Sequence, residues 1–308
     1  MYSRSGDARG AAAARPTGSA SPPTSVSRET PKSAPAALPE PAAPRVFVVA
    51  NQKGGVGKTT TTVNIGVALA LGGLSVLIVD LDPQGNASTA LGVDHRPGIP
   101  GTYDVLIGGR SIADLVVDSP EAPMLKVLPA TVDLAGAEIE LVSVVARENR
   151  LLRSVRAYLK DNPTDYVFFD CPPSLGLLTL NALVAANEIL IPIQCEYYAL
   201  EGVSQLMRTI DLVKGELNDD LALSTVLLTM YDARTRLAAQ VADEVRTHFV
   251  EQTLPVVIPR SVRISEAPSY GQTVMTYHPD SAGARCYREA ATEMARRGAA
   301  DPHGPRPD

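Results

Sequence analysis

The sequence predicts a doubly wound, mostly parallel α/β sheet with helices on both faces. Two observations lead to that class. Short apolar runs and helix-length segments alternate along most of the 308 residues, and several runs are apolar at every position rather than at every second one. A strand with one wet face alternates apolar with polar residues; a strand covered on both faces does not. Parallel strands also need crossover connections, usually helical, which gives the alternation of the two element types.

Residues 46–50 (VFVVA) are the first such strand. A glycine-rich turn leads into a helix over 58–71, which Gly72-Gly73 terminates. Residues 75–80 (SVLIVD) make a second buried strand and 125–129 a third, followed by helices over 135–145 and 151–160. Strands over 166–170 (YVFFD) and 188–192 (EILIP) enclose a helix over 177–186. A helix over 200–214, a strand over 221–229, a helix over 238–250, a short strand over 254–258 and a helix over 283–297 complete the pattern. No internal repeat interrupts it.

Hydrophobic residues make up 45% of the chain and charged residues 20%, enough for a sizeable core. Aromatics are only 5%, with no Trp, so Val, Leu, Ile and Ala must build that core. A formal net charge of −6 gives no general attraction to nucleic acid, and any DNA contact needs a local basic patch. Cys171, Cys195 and Cys286 lie far apart without a CxxC pair, which is neither a disulfide framework nor a zinc pattern. They are expected to be small buried hydrophobes in a reduced cytoplasm. No apolar run approaches the roughly 18–20 residues of a membrane span, and no secretory h-region is present, so a cytoplasmic protein is expected. Residues 1–44, rich in Ala, Pro and Ser, cannot offset their ordering entropy by burial and are expected to be a disordered leader. Residues 299–308 read as a second loose tail, leaving 45–298 as a single domain.

The turn between the first strand and the first helix reads NQKGGVGKTT over residues 51–60. Unpaired backbone N–H groups and the helix dipole make such a turn an anion site. Glycines let the backbone wrap close to phosphates where a Cβ would clash. Lys58 is placed to reach the β- and γ-phosphates of a nucleoside triphosphate, and the Thr59 hydroxyl to coordinate Mg²⁺. Gly54, Gly55, Val56, Gly57 and Thr60 complete the binding loop. A plain tight turn accounts for one or two glycines, not for GGVGKTT in this place.

Carboxylates follow at two strand ends. Asp80 and Asp82, in DLDPQGN, can both face the crevice where open α/β sheets bind ligands. Either one alone could equally cap the next helix or start a turn. Asp170 ends an apolar strand in the manner of a Walker B acid and is expected to bind Mg²⁺ through a water. Cys171-Pro172-Pro173-Ser174 then forces an extended turn.

The loop departs from the common G-x-x-x-x-G-K-[ST] form: Gln52 stands at the first glycine's position and Lys53 precedes Gly54-Gly55. KGGVGKTT resembles the deviant Walker A motif of the ParA/MinD family of P-loop ATPases, and DLDPQGN and DCPPS resemble two further motifs of that family. The resemblance implies a site completed by a second subunit, with Lys53 reaching the partner's phosphates. It also implies that Asp82 positions or activates the attacking water and that Asp80 helps hold the Mg²⁺ shell. An adenine base is implied as well; no guanine-reading NKxD is present, and Met230 and Pro259, near strand ends, are the residues that could flank it.

Residues 135–141 (AGAEIEL), 194–202 (QCEYYALEG) and the stretches around 258–260 and 266–271 resemble the chromosome-partitioning ParA/Soj branch in particular. Without the family, Tyr197-Tyr198 would be core or interface packing, and Glu138 and Glu140 a solvated helix edge. The resemblance covers about 45–297. It implies a cytoplasmic, nucleoid-associated partition ATPase that forms an ATP-dependent homodimer and binds double-stranded DNA without sequence preference. A ParB-type centromere-binding partner would stimulate slow hydrolysis. Arg234, Arg236, Arg260 and Arg263, with Arg246 behind them, are the candidates for DNA contact, mainly to phosphates. A solvated surface balanced by Asp232, Asp243 and Glu244 is the alternative for any one of them. A MinD-type protein would end in a basic amphipathic helix on a membrane, which residues 298–308 cannot form, so no membrane partner is expected. The nitrogenase iron-protein relatives need bridging cysteines, and Cys171 is poorly placed for that role. A small-molecule synthetase or kinase on the same fold is the rival of a different class.

Overall fold

In the computed structural model, which describes residues 37–197 and 199–299, eight strands form one sheet. They are β1 (Arg45–Val49), β2 (Val76–Asp80), β3 (Val117–Asp118), β4 (Leu125–Leu128), β5 (Tyr166–Asp170), β6 (Glu188–Gln194), β7 (Ala222–Tyr231) and β8 (Thr253–Pro259). Their order is β3-β4-β2-β5-β1-β6-β7-β8, with only β3 antiparallel to its neighbour. The helices are α1 (Lys58–Leu71), α2 (Asn86–Ala90), α3 (Thr102–Leu106), α4 (Leu134–Glu140), α5 (Arg150–Asp161), α6 (Leu177–Ala185), α7 (Ala199–Glu216), α8 (Arg236–His248), α9 (Val262–Glu266), α10 (Val274–Tyr277) and α11 (Ala282–Gly298).

The uninterrupted apolar strands are explained by two cores, one on each face of the sheet. Val46, Val48, Leu77, Val79, Val167 and Phe169 point to one, where α3 to α8 supply the facing side chains. Phe47, Val49, Val76, Ile78, Tyr166 and Phe168 point to the other, against α1, α2, α10 and α11. Successive residues thus alternate between two dry faces. Phe47, Phe168 and Tyr166 stack across β1 and β5, and the Arg45 guanidinium lies over Phe47 while pairing with Glu188 at 2.5 Å. Helix α1 is buried almost all round, as a helix without a polar face must be. Gly66 lets it approach β2: a Cβ there would lie 2.7 Å from Ile78 Cδ1.

The expected elements are all present, with boundaries moved by a few residues. Two differences have physical causes. The helix expected over 135–145 stops at Glu140 and continues only as a tight turn over Leu141–Ser143, with Val144 extended. Val142 and Val145 are 61% and 89% exposed, so this β-branched stretch has no buried face to sustain a helix. The end of the expected leader is also ordered against the domain. Leu38 donates its N–H to Gly72 O at 2.9 Å and packs on the α1 core, and Pro41 pairs with Ala299. Residues 1–36 and 300–308, where the rest of the leader and the tail were expected, lie outside the described residues.

The Gly66→Val chain should be destabilised by about 1–3 kcal/mol, because the side chain must displace Ile78 in a packed core. The midpoint of urea unfolding measures this; an unchanged midpoint would show that α1 does not approach β2 so closely.

Candidate active site

The loop joining β1 to α1 is anchored at several points. Asn51, 6% exposed, donates from Nδ2 to Pro192 O (2.9 Å) and accepts the Lys53 N–H on Oδ1 (3.0 Å). Val56 is buried, and its carbonyl accepts the Thr229 hydroxyl at 2.8 Å. Gly57, with φ 91°, occupies the left-handed region that a side chain would strain. Helices α8 and α11 are capped by the side chains of Thr235 and Ser281, but α1 has no side-chain cap. Its first-turn N–H groups are therefore open to an anion.

Lys58 is only 7% exposed. Burial pushes its ammonium below the ordinary lysine range, and Asp170 is the first of the charges that oppose the shift. The register of β2 and β5 sets Asp80 directly beside Asp170, both fully buried. Burial raises both carboxyls well above the usual range; the neighbouring Asp170 charge adds to this for Asp80, while hydroxyls of Thr59 and Thr62 pull Asp170 back. Asp170 Oδ1 accepts the Thr62 hydroxyl at 3.0 Å, but Oδ2 is buried with no partner. An orphaned carboxylate oxygen beside the Thr59 hydroxyl fits a hydrated Mg²⁺ at the phosphates. Such an ion keeps most of its waters and takes one or two protein ligands.

Asp80, expected to help hold the Mg²⁺ shell, is engaged by its own chain on both oxygens. Its Oδ2 accepts the N–H and hydroxyl of Ser88 (2.9 and 2.8 Å), and its Oδ1 accepts the Asp82 N–H (3.1 Å). The chain itself uses both oxygens, so Asp80 shapes the turn that carries Asp82. Asp82 is 9% exposed and accepts the Gln84 N–H at 3.0 Å.

Lys58, Thr59 and Asp82 border a cavity of about 670 Å³, within the range of small-molecule sites. Its floor is Gly54, Gly55, Gly57, Lys58, Thr59 and Thr60; Asp82, Gln84 and Asn86 line one side. Met230, Ile264, Gln272 and Thr273 are on the wall as well. Met230 lines this wall with φ 51°, an unusual backbone state for a side chain of this size. Pro259 does not reach this space: it borders a smaller adjoining cavity of about 100 Å³, shared with Met230 and Thr60. Val56, Asp80 and Asp170 are buried and do not line this cavity. Lys53 is absent from the lining and pairs instead with Glu196 at 3.3 Å.

Several contributors escaped the sequence reading. Buried Asn64 donates to Thr60 O (2.7 Å) and accepts the Val274 N–H (3.0 Å), tying α1 to the 273–276 wall. Its signal was an Asn set among the apolar residues of α1 that follow the Thr run, beside Val63, Ile65 and Val67. Buried Glu121 holds the same wall through the Thr273 N–H and the hydroxyls of Thr273 and Thr276, and nothing in its local sequence pointed there. Cys171 and Cys195 are buried as expected, Cys286 partly so, and burial raises all three thiols, Cys195 to about 11.

Comparison with known proteins agrees with this geometry. A model described as "AAA domain" matches residues 44–223. The sporulation initiation inhibitor protein Soj of Bacillus subtilis is 51% identical over 254 residues, 82% of this chain and 99% of that protein. The chromosome partitioning protein ParA of Caulobacter vibrioides (strain NA1000 / CB15N) is 49% identical over 253 residues, 82% and 94% of the two chains. The chain belongs to the ParA/Soj family of chromosome-partitioning ATPases. Among solved structures, cobyrinic acid a,c-diamide synthase from Mycobacterium smegmatis, with bound ATP analog and magnesium, superposes with a TM-score of 0.71 at 41% identity, over 83% of this chain and 96% of that one.

In this ParA/Soj chain the candidate arginines gather at one end of the sheet. Arg234 and Arg236 follow β7, and Arg260 and Arg263 follow β8; Tyr231 pairs with Pro259, so the two loops are neighbours. All four side chains are exposed. Arg234 is held by Asp232 at 2.8 Å, Arg260 by Glu196 at 3.4 Å, and Arg263 touches His278, whereas Arg236 has no ion pair among the described residues. Arg246, on α8, pairs with Asp243 at 3.7 Å. Tyr197 is 76% exposed and so is not core; Tyr198 lies outside the described residues. Glu140, at the exposed edge of α4, accepts the Tyr103 hydroxyl. No helix among the described residues is long and apolar enough to cross a membrane.

The Thr229→Val chain should lose about 1–3 kcal/mol of stability and bind nucleotide more weakly, since the buried Val56 carbonyl loses its donor. Urea unfolding and titration with a fluorescent ADP measure the two effects; wild-type values in both would remove Thr229 from the support of the loop.

Proposed function

We propose that this chain is an ATP- and Mg²⁺-dependent partition ATPase that dimerises on ATP, binds double-stranded DNA without sequence preference and lets go after hydrolysis. The observation that carries the reading is the pairing of a complete phosphate loop with a Lys53 that does not serve its own cavity. Lys58 and the first-turn N–H groups of α1 bind the β- and γ-phosphates. The Thr59 hydroxyl and the unpartnered Oδ2 of Asp170 would hold a hydrated Mg²⁺, whose charge would offset that of the phosphates. Asp82 orients the attacking water and is itself oriented by the turn that Asp80 fixes. Lys53 crosses to a second copy's phosphates and there meets charge developing in the transition state. Met230 faces the base from the cavity wall.

DNA contact falls to the exposed arginines beyond β7 and β8, on the same end of the sheet as the loop, so that nucleotide state and DNA binding share one surface. Such contacts go mainly to phosphates and weaken steeply with salt. A ParB-type centromere-binding partner stimulates an otherwise slow hydrolysis, and the protein is cytoplasmic and nucleoid-associated. The likeness to a diamide synthase favours a second reading, a small-molecule enzyme using the same loop.

The Lys58→Ala chain should lose ATP binding; binding that survives would remove the loop from its assigned role. The Asp82→Ala chain should keep ATP binding, hydrolyse at least about 100-fold more slowly and stay on DNA. Unchanged turnover would show that Asp82 is not catalytic. ATP hydrolysis by the wild-type chain should rise with DNA and the ParB-type partner together. A rate indifferent to both, with turnover of a metabolite by a monomer, would replace this reading with the synthetase one.

A further inference from the structure

Glu196 lies in the turn between β6 and α7 and was assigned no role by the sequence. Three side chains from three separate segments converge on it. Lys53 Nζ, from the phosphate loop, is 3.3 Å from Oε2; Arg260 Nη2, from the turn after β8, is 3.4 Å from Oε1; and Gln194 Nε2 donates to Oε1 at 2.5 Å. The backbones carrying the two cations are fixed, Lys53 N–H by Asn51 Oδ1 and Arg260 N–H by Tyr231 O. Their charged heads are not: side-chain exposure is 36% for Lys53, 57% for Arg260 and 45% for Glu196. Ion pairs this exposed contribute little and exchange easily.

Resting on the partition reading above, we propose that Glu196 is a positioning residue that holds Lys53 and Arg260 in the single chain and so brakes both dimerisation and DNA binding. Lys53 cannot serve a partner's phosphates while it pairs in cis, and Arg260 cannot serve DNA phosphates while it is drawn toward the loop. A triphosphate with several negative oxygens outbids one exposed carboxylate, so ATP in a second copy releases Lys53. The two cations also compete. When one leaves, the carboxylate is left to the other and holds it more firmly, so removing Arg260 strengthens the hold on Lys53.

The test is a titration of the full chain with Mg-ATP in the absence of DNA, with dimer read by sedimentation velocity. Relative to wild type, Glu196→Gln should dimerise at an ATP concentration roughly two- to tenfold lower, since each dimer frees two lysines from weak pairs. Arg260→Ala alone should shift the midpoint the other way, by about twofold, and should shift nothing when combined with Glu196→Gln. A purely structural role would not produce that sign reversal or its cancellation in the double variant. Should Glu196→Gln fold poorly, Arg260→Ala still reads the same carboxylate from its other side. Midpoints unmoved by Glu196→Gln or Arg260→Ala, or an Arg260→Ala effect that persists without Glu196, would overturn the assignment while leaving the partition reading intact. A wild-type chain that stays monomeric at saturating Mg-ATP would bring down both.

Discussion

The side-by-side burial of Asp80 and Asp170 is the constraint around which the site is organised. The insertion of β5 between β2 and β1 brings their carboxyls together, and neither is exposed at the surface. Two carboxylates in a dry site repel and resist ionisation. The surrounding chain answers with donors: Ser88 and the Asp82 N–H on one, Thr62 on the other, and Lys58 as the nearest cation. Each donor belongs to a segment that the site needs in place. The electrostatic demand of the pair therefore sets the Asp82 turn, the first turn of α1 and the depth at which Lys58 sits.

The same strand order explains the division between the two ends of the cavity. Its phosphate end is built by central elements, β1, β2 and β5, packed on both faces. Its far wall comes from the chain beyond β7 and β8, held by single polar links such as Asn64 to Val274 and Glu121 to Thr273 and Thr276. The loop and its carboxylates thus rest on the sheet's packed centre, while the facing wall and the arginines are carried by the segments that follow β7 and β8.

Much of this was legible in the sequence because it is local. Strands apolar at every position revealed a sheet with two dry faces; GGVGKTT and the acids closing 76–80 and 166–170 revealed the phosphate end. What was not legible depends on distant residues meeting. That Asp80 and Asp82 can face one crevice is visible in their spacing, whereas the engagement of Asp80 by Ser88 is not. The grip of Glu121 on a wall some 150 residues later leaves no local trace, since one Glu in a loop reads as solvated. Short elements such as α2, α9 and β3 were missed because fewer than two turns, or two residues, carry no period. The helix expected to reach 145 was extended by composition alone, without a burial partner for Val142 and Val145.

Cys171 follows directly on Asp170, within the most charge-sensitive part of the molecule. Its thiol is 1% exposed and held protonated by burial and by the neighbouring carboxylate. A thiol in that state is a poor nucleophile, a poor metal ligand and a poor target for peroxide. The acidic end of β5 thus carries a sulfur that burial keeps out of thiolate chemistry, although it sits one residue from Asp170.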